Sequence, residues 1–159
     1  MLRAAIVEKS RERREYIHAG LEGLNMEIQV SEFSNEYDFL ENLDEDASSF
    51  DILLVNTTIR HEGDGVLLAS NIRARNRKVM ICFITDSRKY YPEAFSVFAT
   101  GYLLYPIDIS ELHNCISFFY QKTSKERRAS VMIKEAGGSY RRLYCRNILY
   151  AESVNLKVR

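Results

Sequence analysis

Five apolar runs, each followed by a helical pattern, constrain this chain more than any other feature. They are LRAAIV, the alternating MEIQV, FDILLVN, VMICFIT and YLLY. Ser10 is expected to cap a first helix through about Leu24, with Tyr16, Ile17, Gly20, Leu21 and Leu24 on one face. Met26, Ile28 and Val30 have the period of a half-buried strand. Ser34 or Asn35 can cap a second helix that carries Phe39, Leu40 and Leu43 inward. Asp64-Gly65 opens a third, with Val66, Leu68, Ala69 and Ile72 as its apolar stripe. Pro92 suits the first turn of a fourth helix through about Thr100, which Gly101 would end. Ser110 can cap the last, bearing Leu112, Ile116 and Phe119. Runs buried on both faces and alternating with helices predict an α/β fold, a five-stranded parallel doubly wound sheet.

In such sheets a site forms outside the carboxyl ends of the strands. The tips are Glu8-Lys9-Ser10, Asn56, Thr85-Asp86 and Tyr105-Pro106. Asn56 raises the sharpest question, because a carboxamide ends a run that is otherwise apolar. Its plain reading is a turn residue that satisfies local backbone groups.

Other chemistries find little support. Cys82, Cys115 and Cys145 are odd in number, far apart and without CxxC spacing, so neither a disulfide framework nor a zinc site is expected. Cys82, inside VMICFI, reads as a small core residue. His18, His61 and His113 are scattered over separate elements. No phosphate-binding glycine loop of the GxGxxG or GxxxxGK kind occurs. His61-Glu62 with Asp64 reads as a solvated loop. The expectation is no enzyme, no metal and no cofactor. No apolar run approaches the ~18 residues of a membrane helix. The apolar start is too short for a signal-peptide core. A cytoplasmic protein without membrane contact is therefore expected.

The 159 residues suffice for one domain plus part of another. Net charge is zero but uneven. Residues 1–121 hold 12 Lys+Arg against 19 Asp+Glu, and residues 122–159 hold 10 against 3. A basic tail on an acidic body hints at nucleic-acid contact, or is simply solvated. QKTSKERRAS reads as a linker or helix tail. VMIKE, RRLYC and ILYAE read as short strands, with Gly137-Gly138 as a turn. The expected organisation is a domain over 1–122, a linker over 123–130 and a partial β segment over 131–159.

The pieces AAIVEKS, FDILLVNTTIRHEGDGVLLASNIR, VMICFIT and ATGYLLYPIDISEL, in their spacing, resemble a response-regulator receiver domain, a flavodoxin-like fold. The resemblance implies a Mg²⁺-holding acidic pair after the first strand and a phosphoacceptor Asp ending the third. It also implies a Thr or Ser ending the fourth and a Lys before a Pro after the fifth. Here the pair falls on Glu8 and Lys9, the phosphoacceptor on Asn56 and the Lys on Tyr105. Only Thr85 and Pro106 keep the family's residue type. A carboxamide lacks the anionic oxygen that phosphoryl transfer needs, and Mg²⁺ favours anionic oxygen ligands. The departures together read as a receiver without its phosphorylation chemistry, with Lys9 near Glu8 in place of a metal. Tyr102 falls where receivers carry a switch aromatic, with Thr85 as its usual partner, and is otherwise a plain strand aromatic. By the same resemblance Tyr105-Pro106 is a candidate cis bond. Phe98 and Phe118 are either core or apolar contacts of a homodimer through the face of the fourth helix, fifth strand and fifth helix.

RRLYCRNILYAES is similar to the opening strands of a LytTR-type DNA-binding domain. That resemblance implies DNA as a partner if the β domain is complete. Arg141, Arg142 and Arg146 would contact phosphate, while Asn155 and Lys157 lie near a DNA-reaching loop. Two functions stand: a LytTR-type transcription regulator whose receiver works without phosphorylation, or a stand-alone module that binds a sensor or regulatory protein.

Overall fold

Why the runs become a parallel sheet is visible in a computed structural model, which describes residues 1–45, 47–135, 138–145 and 148. The chain divides into two compact units, one over Met1–Ile116 and one from Ser117 onward.

The first unit builds a five-stranded parallel sheet from β1 (Leu2–Val7), β2 (Ile28–Phe33), β3 (Ile52–Asn56), β4 (Met80–Thr85) and β5 (Gly101–Leu104). The order is β2-β1-β3-β4-β5, so the winding reverses between β1 and β3. Every residue of β3 and β4 is buried, as expected of central strands covered on both faces. β2 is an edge strand and keeps the mixed burial its alternation foretold.

The helices α1 (Arg11–Glu22), α2 (Glu36–Glu41), α3 (Asp64–Arg75), α4 (Tyr91–Ser96) and α5 (Ile109–Arg128) follow the strands in turn. Ser10 caps α1 by accepting from the Arg13 N–H, and Asn35 caps α2 by accepting from the Tyr37 and Asp38 N–H groups. The α3 stripe Val66, Leu68, Ala69 and Ile72 is buried as expected. In α1, Ile17, Gly20 and Leu21 are buried, but Tyr16 is half-exposed and only its hydroxyl turns in, donating to the Ile107 carbonyl at 2.9 Å.

Three local expectations fail for identifiable reasons. Helix α2 has six residues and buries Phe39, against Phe33 and Phe50 at centroid distances of 5.4 and 5.7 Å; Leu43, just past its end, packs on the core as expected, while Leu40 stays exposed. Helix α4 ends at Ser96, and Gly101 opens β5 instead of closing a helix, pairing with Cys82 of β4. Asp108, rather than Ser110, caps α5, because its carboxylate accepts both the Ser110 N–H at 2.8 Å and the Ser110 hydroxyl at 2.7 Å. The Tyr105–Pro106 bond is cis.

In the second unit α5 continues to Arg128, so residues 123–128 are helical. Beyond it β6 (Ser130–Lys134) and β7 (Tyr140–Tyr144) pair antiparallel. Gly138 has φ 84° in the connecting turn, where the Glu135 N–H meets the Ser139 carbonyl at 2.8 Å. Apart from Ile148, the run ILYAE lies outside the described residues. Among the described residues no helix is long and apolar enough to cross a membrane.

Candidate functional site

Because β1, β3, β4 and β5 are neighbours and parallel, their carboxyl ends meet at one edge of the sheet. The buried polar side chains of the described residues gather there: Glu8, Asn56, Thr57 and Thr85. The Asn56 amide nitrogen donates to Glu8 Oε2 at 2.6 Å, bridging the point where the winding reverses. The Tyr105 hydroxyl donates to the same oxygen at 3.0 Å. The Ser10 backbone N–H donates to Glu8 Oε1 at 2.9 Å. The other end of the Asn56 amide, Oδ1, accepts the Thr58 N–H at 2.9 Å. Its orientation is thereby settled on both sides, since a carboxylate can only accept and a backbone N–H can only donate.

Tyr105 is covered in turn. The Arg13 guanidinium lies 3.8 Å from its ring centroid and forms a two-pronged pair with Asp86 at 2.9 and 3.1 Å. Burial, together with the adjacent Glu8 charge and hydrogen bond, pushes the Tyr105 phenol well above its ordinary range. The expected proximity of Lys9 to Glu8 does not translate into a pair. Lys9 is exposed, while Arg14 donates to the Glu8 and Lys9 carbonyls at 2.6 and 2.9 Å and so fixes the turn. Arg13 carried no sequence signal for this role, because its two partners lie on β4 and β5 loops remote in the chain.

Thr85 does not bond Tyr102 directly. Its hydroxyl pairs with that of Thr57 at 2.7 Å and accepts the Ser87 N–H at 3.1 Å. Tyr102 reaches the same turn from the far side, donating its hydroxyl to the Ser87 carbonyl, with its ring 4.4 Å from that of Tyr91. Thr57 was missed by sequence reasoning, which stopped at the strand tip one residue earlier.

The loop after β3 is self-satisfied. Asp64 accepts the Ile59, Arg60 and His61 N–H groups at 2.7, 2.9 and 2.8 Å. Partial burial works against its ionisation, but those N–H groups and that of Gly65 outweigh it and hold the carboxyl below its usual range. Glu62 pairs with Lys89. No three His, Cys, Asp or Glu side chains gather into a metal-binding group among the described residues. In the second unit Arg141 and Arg142 are exposed on β7, and Arg141 lies 3.9 Å from Glu135. Arg146, Asn155 and Lys157 lie outside the described residues.

Residues 4–117 match the family model of the response regulator receiver domain. The chain belongs to that family. Its receiver fold is similar to the response regulatory domain of protein mrkE from Klebsiella pneumoniae, at 26% identity and a TM-score of 0.65 over 78% of this chain and 99% of that one. It is also similar to the signal receiver domain of a modulated diguanylate cyclase from Desulfovibrio desulfuricans G20, at 26% identity and a TM-score of 0.64 over 79% and 98%. A signal receiver domain of a two-component histidine kinase from Clostridium thermocellum shares the fold at 18% identity, with a TM-score of 0.63 over 74% and 96%. None of the curated proteins matches the sequence. Receiver domains are the signalling modules of two-component systems rather than enzymes of metabolism.

Proposed function

We propose that this receiver signals without aspartyl phosphorylation, as the dimerisation or partner-binding module of a LytTR-type transcription regulator. One observation carries the reading: the Asn56 amide donates to Glu8 at 2.6 Å, where a phosphoacceptor carboxylate would need a metal between the two. Both Glu8 oxygens are already met by donors, and Asn56 Oδ1 is engaged by a backbone N–H. This donor set does not fit Mg²⁺, which takes six hard oxygens and favours charged ones. Tyr105 brings a hydroxyl and an aromatic ring where the family's Lys would bring a cation, and it closes the pocket with a hydrogen bond. The roles assigned to Glu8, Lys9, Asn56, Thr85, Tyr102, Tyr105 and Pro106 belong to this reading.

The DNA-binding half rests on the β6–β7 hairpin, its exposed Arg141 and Arg142, and the likeness of RRLYCRNILYAES to LytTR strands. A cytoplasmic location belongs to the same reading. A stand-alone interaction module is the second reading, favoured by Phe95 and Phe98, which are 86% and 78% exposed in and just after α4. Phe118, at 63% exposed, is no core residue either. A gel shift with the protein carrying a complete β domain separates the two.

The silent pocket is tested with acetyl phosphate or beryllofluoride plus Mg²⁺, read by intact mass and by amide NMR shifts around Asn56. The expected result is unchanged mass and unchanged spectra. A covalent phosphate, or Mg²⁺ binding that saturates at low-millimolar concentration, overturns the reading.

A further inference from the structure

Away from the strand tips, two thiols converge inside the first unit. Cys82 sits on β4 and is fully buried, and Cys115 sits on α5 and is half-buried. They meet because β5 opens with Gly101, the register partner of Cys82. A Cβ at Gly101 would lie 2.8 Å from Cys82 Sγ and 2.9 Å from Cys115 Sγ. The space of the missing side chain is thus filled by both sulfurs, and no side chain of β5 stands between them. All three cysteines are free.

The two thiols are not equivalent. The neighbouring Cys82 side chain, whose thiol faces the Phe83 carbonyl at 3.7 Å, draws the Cys115 thiol down to about 7, against the opposing effects of burial and the Glu111 charge. Cys115 beside it, together with burial, pushes the Cys82 thiol up. The pair thus sets a half-buried thiol that ionises more readily beside a fully buried one that ionises less readily, the arrangement of an attacking and a resolving cysteine.

We infer that Cys82 and Cys115 form an oxidisable dithiol, at which a hydroperoxide converts the two thiols into a disulfide joining β4 to α5. The Cys115 thiolate attacks the O–O bond, taking one oxygen as sulfenic acid while the other leaves as hydroxide and is protonated to water. Cys82 then attacks the sulfenic sulfur. The S–S bond forms, the S–O bond breaks, and the Cys82 proton leaves with the hydroxide as a second water. Two thiols and one hydrogen peroxide give one disulfide and two waters. The linkage pins α5, the helix that runs on into the second unit, to the central sheet. It is independent of whether the strand-tip pocket is silent.

The test uses the full chain with C145S, which removes the exposed third thiol and leaves the pair untouched. After hydrogen peroxide, free thiols are alkylated in denaturant and the digest is mapped. The expected result is an intact mass lower by two hydrogens, with the Cys82 and Cys115 peptides joined and the link undone by dithiothreitol. In the C82S/C145S chain, dimedone should label Cys115. Two results overturn the inference: both thiols intact after peroxide, or Cys115 oxidised in the C145S chain with Cys82 still free to alkylate.

Discussion

Asn56 is held at both ends, by Glu8 on its nitrogen and by the Thr58 N–H on its oxygen. Replacing it with Asp sets an oxygen against Glu8 Oε2 where a donor stood at 2.6 Å. Two carboxylates so close cannot both ionise at low cost. N56D is therefore expected to lose about 1–3 kcal/mol at pH 7. The loss should shrink as pH falls below the carboxylate range, where the pair holds a proton, as denaturant titrations across pH will report. Tyr105→Phe removes the second donor to the same oxygen and is expected to cost about 1–2 kcal/mol at pH 7. The raised phenol adds a sign at high pH. Its folded value lies above the unfolded one near 10, so its stabilisation is complete below that and is lost as pH rises through the folded value. Y105F should flatten the alkaline limb, checked by the same titrations between pH 9 and about 12. Glu8, Asn56, Thr85 and Tyr105 were legible as strand tips. Thr57 and Arg13 were not, because a Thr in a loop and an Arg on a charged helix face look like many others.

At the level of elements, α3 packs unusually close to the tip of β3. A Cβ on Gly65 would fall 1.7 Å from the Asn56 carbonyl oxygen and 2.8 Å from its carbonyl carbon. Both atoms are backbone, so G65A must push α3 off the strand end. A loss of more than about 3 kcal/mol is expected by thermal melting, together with changed amide shifts at Asn56. Asp64, beside it, ties the preceding loop through three N–H groups. Its lowered carboxyl stabilises the fold above the ordinary 3.8 and loses that effect as pH falls through the folded value. D64N should therefore show a flatter acid limb below pH 3.8 in equilibrium unfolding. The apolar stripe of α3 could be read from its period, since 3.6-residue spacing is local. The length of α2 and the end of α4 could not: each helix stops after six residues, at Glu41 and Ser96.

For the molecule as a whole, the core cluster lies within the first unit, from Ala5 to Val97. A chain of residues 1–122 is expected to unfold in one cooperative transition with the helical and strand content of the receiver intact. Circular dichroism melts check this, and a broad, non-cooperative melt would show that the core needs the second unit.

What the sequence determined alone was whatever local chemistry can state: the five strand–helix alternations, the polar tips, and a carboxamide where the family's carboxylate belongs. Only the tertiary structure decided the partners. Glu8 meets Asn56 and Tyr105, residues 48 and 97 positions away, and not Lys9 next to it. Cys115 meets Cys82 over a glycine on a third element. Pairings across parallel strands depend on sheet order and register, and neither is encoded within any single run of residues.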